Sequence, residues 1–208
     1  MHMKKINVLY IHGGMTFKNE KDFLQYIVKT RGVSTKNRKY WSKDYLPKAL
    51  GSEFEVTTPR MPLQDWAQYR HWESYFERYL PLLNKDFMLI GESLGAIFLA
   101  KYLSENKLKQ KALSVYLIGA PFDDTLPHED LVGGFKLNAD LSLLEKNCKN
   151  LYLIFSKDDD VIPVSHAEKF RKKLHGAKIL ILKNKRGHFN VEKFPEIVKM
   201  IKADVVRK

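Results

Sequence analysis

Cysteine is nearly missing from this 208-residue chain: the lone Cys148 excludes an internal disulfide and has no cysteine partner at a metal-ligand spacing. Its surroundings read as the lead into a strand. Long apolar runs are also missing. No stretch approaches the roughly 20 consecutive apolar residues of a membrane-spanning helix. The opening MHMKKINVLYIHGG has no leader-like run ending in small residues, so a cytoplasmic location is expected. The start at Met1 and His2 reads either as native or as a cloning remnant. There is no Pro/Gly/Ser-rich linker, internal repeat or low-complexity tract, and one domain over residues 1–208 follows. Acidic residues are in deficit, 24 against 36 Lys and Arg, leaving a formal charge of +12. The excess is scattered: the short clusters at 36–39, 171–173 and 183–186 are separated by balanced segments, and no nucleic-acid-binding motif accompanies them. A solvated basic surface is therefore expected, with no nucleic-acid partner.

What is present is an ordinary globular composition, 44% hydrophobic and 29% charged. Apolar runs of strand length alternate with helical patterns. In order they are INVLYI, FLQYIV, YLPKAL, EFEVTT, WAQYRHWESYFERYL, FMLI, IFLAKYL, LSVYLI, LYLIFS, AEKFRKKL, KILIL and EIVKMIKADVV. Such alternation predicts an α/β domain on a parallel sheet. The strand runs show few alternating polar positions, as when helices cover both faces, so the sheet is expected to be doubly wound and mostly parallel. Residues 121–140 are the least regular and predict a loop or short cap near the carboxyl ends of the strands, where open α/β sheets bind ligands.

The most informative segment is DFMLIGESLGAIFLAKYL. A buried-type strand runs into Gly91-Glu92-Ser93-Leu94-Gly95 and straight into an apolar helix, which is Gly-x-Ser-x-Gly in the context its chemistry requires. The serine must stand on a turn so sharp that side chains at the flanking glycines would collide with neighbouring backbone. The alternative for Ser93 is a plain helix cap. At the start of the helix, the Leu94 N–H points toward any oxyanion formed at Ser93. A second donor is expected after the first strand, where His12-Gly13-Gly14 supplies backbone without side chains; the Gly14 N–H is preferred and Met15 is next. On its own this tripeptide also fits a strand-ending turn, and His12 itself reads as a structural hydrogen-bonding residue.

A serine hydroxyl needs a histidine to take its proton and a carboxylate to hold that imidazole, in the chain order Ser, acid, His for this type of turn. Of seven histidines, His175 and His188 lie late enough. His188, in Arg186-Gly187-His188-Phe189 between a strand and the last helix, is the candidate base. His175 ends a charged helix, where the helix dipole accounts for it; His71, His128 and His166 read as surface or packing residues. The acid should follow LYLIFS, where Asp158, Asp159 and Asp160 are adjacent. Asp159 is preferred because it stands four residues before Pro163, the opening of the next helix. Its neighbours suit turn and capping roles. Asp123 and Asp124, after LSVYLI, are a further acid position.

Together YIHGG, Trp41 with YLPKALG, VTTPRMP, Trp66 and Trp72, LIGESLG, GAPF, SKDDDVIP and RGHFN resemble the small serine hydrolases grouped with retinoblastoma-binding protein nine and its bacterial relatives. The match spans nearly the whole chain. The resemblance implies an α/β-hydrolase fold with no large lid domain, and a triad falling on Ser93, Asp159 and His188. Glu92 stands where many members carry histidine. No Leu-x-Cys-x-Glu segment is present, so a retinoblastoma-protein interaction is not expected.

The function these residues imply is hydrolysis of a small carboxylic ester, or a thioester or amide, through an acyl-serine intermediate without metal or cofactor. An acyltransferase would use the same residues, and a binding protein could retain the fold without the chemistry. Without a lid, the pocket is expected to be shallow and to suit short acyl chains, walled by residues after HGG, the 121–140 stretch and Trp66. Lys157 and the 183–186 cluster are candidates for a basic rim that would favour anionic substrates.

Overall fold

The computed structural model describes residues 5–206, so Met1 and His2 lie outside it. Six strands form one sheet: β1 (Ile6–Ile11), β2 (Phe54–Thr57), β3 (Phe87–Glu92), β4 (Ala112–Ile118), β5 (Cys148–Ser156) and β6 (Lys178–Leu182). Their order is β2-β1-β3-β4-β5-β6, and every neighbouring pair is parallel. Seven α-helices accompany them: α1 (Glu20–Lys29), α2 (Leu46–Leu50), α3 (Tyr69–Phe76), α4 (Leu94–Glu105), α5 (Ser142–Lys146), α6 (Ser165–Arg171) and α7 (Pro195–Val206).

Both sheet faces are covered, which explains the unbroken apolar strands. Leu9, Ile11, Leu89, Val115, Leu117, Leu153 and Phe155 pack with Ile97 and Phe98 of α4 and Phe170 of α6. The alternate residues Val8, Tyr10, Ile90, Tyr116, Ile118 and Ile154 face Trp41, α2 and α7. A buried carboxylate fastens α7 to the second face: Asp204 accepts from Ser114 Oγ at 2.5 Å and from the Tyr116 and Tyr152 hydroxyls at 2.7 Å.

Helix boundaries follow local chemistry. The Asn19 side chain accepts from Asp22 N at 3.0 Å and caps α1. Gly51, at φ +88°, ends α2 in a conformation that favours glycine. The helix expected from Trp66 to Leu80 is shorter, because Ala67 and Gln68 are extended and Gln64–Trp66 forms a separate turn. The five-residue α5 was not expected. Residues 121–140 contain no helix or strand, as expected of a loop.

The topology places the site. From β1 the chain goes outward to β2 and then crosses back to β3, so β1 and β3 flank the point where strand order reverses, the place where open α/β sheets form a crevice. Register aligns Ile11 with Gly91 and Glu92 with Ile118. The segments after β1, β3, β4, β5 and β6 therefore emerge along one edge.

Candidate active site

Ser93 occupies a single-residue turn between β3 and α4 with φ 55° and ψ −122°, a conformation costly for any residue with a side chain. Neighbouring backbone enforces it. A Cβ on Gly95 would lie 2.2 Å from Ile11 O, and one on Gly91 would lie 2.4 Å from Gly95 O. Only glycine allows α4 to start so close to β1 and β3. Ser93 N donates to Ile118 O at 2.8 Å, tying the turn to the end of β4.

The next residue in β4's path, Gly119, lies against the imidazole of His188: a Cβ there would come within 2.9 Å of Cε1. Ser93 and His188 thus meet at one short segment, Ile118–Gly119. His188 Nδ1 donates to Asp159 Oδ2 at 2.8 Å, and the Asp159 side chain is fully buried. The other Asp159 oxygen accepts from Val161 N at 3.0 Å and Ile162 N at 2.8 Å, which locks the carboxylate. His188 Nε2 is buried and has no hydrogen-bond partner among the described residues. Burial opposes the charged imidazole, but Asp159, with Glu92 and Glu129 adding to it, raises the His188 pKa above its ordinary value.

The loop bearing His188 has three residues in left-handed backbone around it, Arg186 (φ 55°) and Gly187 (φ 75°) before it and Phe189 (φ 51°) after it. Asp158 holds it. Its carboxylate accepts from Lys185 N at 2.8 Å, from Gly187 N at 3.0 Å and from the Ser156 hydroxyl. These donors, Ser156 first, lower the Asp158 pKa to about 2. Asp158 and Asp159 therefore divide the work, one holding the loop and the other the ring. Asp160 is exposed. Asp123 is engaged with Lys169 at 2.7 Å and with Thr125, away from His188.

On the β1 side, Gly13 abuts the serine, since a Cβ there would meet Ser93 Cβ at 3.1 Å. His12 is structural: Nδ1 donates to Gly13 O at 2.5 Å and Nε2 accepts from Met61 N at 2.8 Å. Burial lowers its pKa, which matches a neutral ring. Holding the Gly13 carbonyl orients the shared peptide unit, and with it the Gly14 N–H. Among the described residues, neither Gly14 N nor Leu94 N donates to other backbone. Met15 differs from the expectation: its N–H is taken by Gln64 O at 2.8 Å, a partner too far along the chain to foresee.

A cavity of about 630 Å³ is lined by Met15, the residue after Gly14, and by Thr16, Phe17, Tyr26, Leu126 and Glu129 among others. Glu129 interacts electrostatically with both His188 and Asp159. The cavity wall also includes Asp22 and Asp130 but no lysine or arginine. Of the residues expected at a basic rim, Lys183 and Arg186 are exposed. Lys157 is exposed, and Lys185 is buried in a pair with Glu196 at 2.6 Å and over the Phe194 ring at 4.7 Å. Trp66 lies in a separate groove with Phe23 and Met61. His166 is buried, accepting from Phe122 N at 2.9 Å, and so anchors the start of the 121–140 loop. His71, His128 and His175 are exposed. The parts sequence reasoning missed are Asp158 as a loop holder, Glu129 and the room made by Gly119. Only Gly119 has a local signal, at a strand end in GAPF.

Solved structures share this architecture. The ydeN gene product of B. subtilis superposes with a TM-score of 0.77 at 18% identity, covering 97% of this chain and 100% of its own. The thioesterase domain from the curacin biosynthetic pathway gives 0.62 at 12% identity over 96% and 92%. A lipase-esterase related protein from Clostridium acetobutylicum gives 0.57 at 13% over 95% and 93%. The fold is that of the α/β-hydrolases, without an inserted lid-like domain among the described residues. No curated protein sequence matches the chain. The serine hydrolase family, however, matches residues 27–202, and the chain belongs to that family.

Proposed function

We propose that this chain, acting as one domain over residues 1–208, hydrolyses small carboxylic esters through an acyl-Ser93 intermediate. His188 serves as base and Asp159 as the acid that orients it. Carrying this reading is the Asp159-held imidazole with an unpartnered, buried Nε2, beside a serine held in a strained turn. Ser93 Oγ attacks the acyl carbon as Nε2 takes its proton. The Gly14 and Leu94 N–H groups stabilise the oxyanion; the resulting imidazolium, paired with Asp159, protonates the leaving group. Water then repeats the sequence on the acyl enzyme. Similarity to proteins named for thioester and ester cleavage supports acyl chemistry in general. The motif set supports a place among the relatives of retinoblastoma-binding protein nine.

The acid-lined cavity favours neutral or cationic substrates over anionic ones, and its walls, built from α1 and the loops at 15–17 and 126–130 without an inserted lid, favour short acyl groups. Ser93→Ala should abolish hydrolysis of p-nitrophenyl acetate while leaving the melting temperature nearly unchanged. Full activity in that variant would overturn the mechanism.

A further inference from the structure

Helix α1 is apolar around more of its circumference than it buries. At about 100° per residue, Tyr26, Phe23, Ile27, Leu24 and Val28 fall on one side of the helix, interrupted only by Glu20 in the first turn. The inner part packs: Phe17 lies 5.3 Å from Phe23 and 5.2 Å from Tyr26 between ring centroids, and Phe23 lies 5.0 Å from Trp66. The outer part does not, since Leu24, Ile27 and Val28 are 51%, 39% and 80% exposed. Beyond the helix, Val33 is 95% exposed. Exposed aliphatics gathered in this way mark an interaction surface.

The surrounding charge indicates the partner. From Lys18 to Lys43 the chain carries eight Lys and Arg against only Glu20 and Asp22, half of the whole +12 excess. Lys18 and Arg31 are paired, with Asp130 and Asp65. Lys21, Lys29, Lys36, Lys39 and Lys43 are exposed and have no ion pair among the described residues. A second copy of this face would bring two such charge excesses together and be repelled. Nucleic acid would match the charge but leave Leu24, Ile27 and Val28 in water. An anionic lipid surface accommodates both features, hydrocarbon at the acyl boundary and lysine at the headgroups.

We propose that α1 and the segment to Lys43 dock the protein on anionic phospholipid membranes. Asp22, Gln25, Tyr26 and Thr30 of the same stretch line the cavity that Met15 and Glu129 also wall, so docking brings that cavity to the lipid surface. Docking requires no turnover and stands apart from the proposed chemistry.

The test is flotation of the full chain with vesicles of phosphatidylcholine alone and of equal parts phosphatidylcholine and phosphatidylglycerol. The protein should float with the mixed vesicles only, and less so as salt rises. L24S/V28S should weaken partitioning by roughly tenfold or more, and K36Q/K39Q should weaken it several-fold. Both variants should keep wild-type melting and p-nitrophenyl acetate hydrolysis. Wild type that stays unbound, or L24S/V28S that binds undiminished, overturns the proposal. A dimer in sedimentation that L24S/V28S abolishes, without vesicle binding, assigns the face to self-association instead.

Discussion

Replacing Gly95 with alanine probes the strained turn at its tightest point. The added Cβ would lie 2.2 Å from Ile11 O, 2.6 Å from His12 O and 2.8 Å from the Ile11 carbonyl carbon. Comfortable separations are about 3.5 Å, so the overlap exceeds ~1 Å against backbone atoms. Neither side yields easily. Strand β1 is held by β2 and β3 on its two edges, and α4 is buried along most of its length. Overpacking of this kind costs about 1–3 kcal/mol, which for a chain of this size lowers Tm by several degrees. Whatever motion relieves the clash also separates Ser93 and Leu94 from the His12–Gly14 segment. Misplacement on that scale should reduce kcat on the order of 10²-fold, even where the protein is fully folded. Calorimetry and p-nitrophenyl acetate hydrolysis measure the two effects separately. Gly32→Ala, where the new methyl meets nothing within 4 Å, is the control. A Gly95→Ala variant with wild-type Tm and kcat would refute the close-approach argument.

Asp159→Asn should lower kcat by roughly 10³ to 10⁴, whereas Asp160→Asn should be nearly silent. Asp158→Asn should cost about tenfold, because it loosens the loop but leaves the ring's partner in place; steady-state kinetics ranks the three, and any other order relocates the acid. Negative charge on Glu92 favours the imidazolium of His188, which must be deprotonated to act as base. Glu92→Gln should therefore lower the base's pKa and move the acidic limb of kcat/KM to lower pH; an unmoved limb would mean that Glu92 carries no charge there. Asp204→Ala removes the carboxylate that accepts from three buried hydroxyls and should cost about 3 kcal/mol in urea unfolding with kcat unchanged. A loss below ~1 kcal/mol would show that those bonds contribute little.

Much of the fold is legible in the sequence because a parallel sheet buried on both faces writes its strands as unbroken apolar runs such as LSVYLI. Ser93 was legible for another reason: its turn is local, and the two flanking glycines record the close approach of β1 and α4. The place of His188 was legible through Gly187, whose left-handed backbone the loop uses. The three adjacent aspartates were harder. Asp158 and Asp159 both accept backbone N–H groups, and only the direction of the second Asp159 oxygen separates their roles. Glu129 and the Gln64 carbonyl that occupies Met15 N–H come from distant segments and leave no local pattern. At five residues, α5 is too short to show a helical period. The 66–80 helix was overdrawn because aromatic spacing continues through Trp66, where the backbone does not.

The central claim is that Ser93 is an activated nucleophile. Treating the protein with a fluorophosphonate probe and mapping the adduct by peptide mass spectrometry tests it most directly. One adduct per chain is expected, on Ser93, absent from Ser93→Ala and formed far more slowly in His188→Ala. A wild-type protein that stays unlabelled, or labels at another residue, would contradict the account.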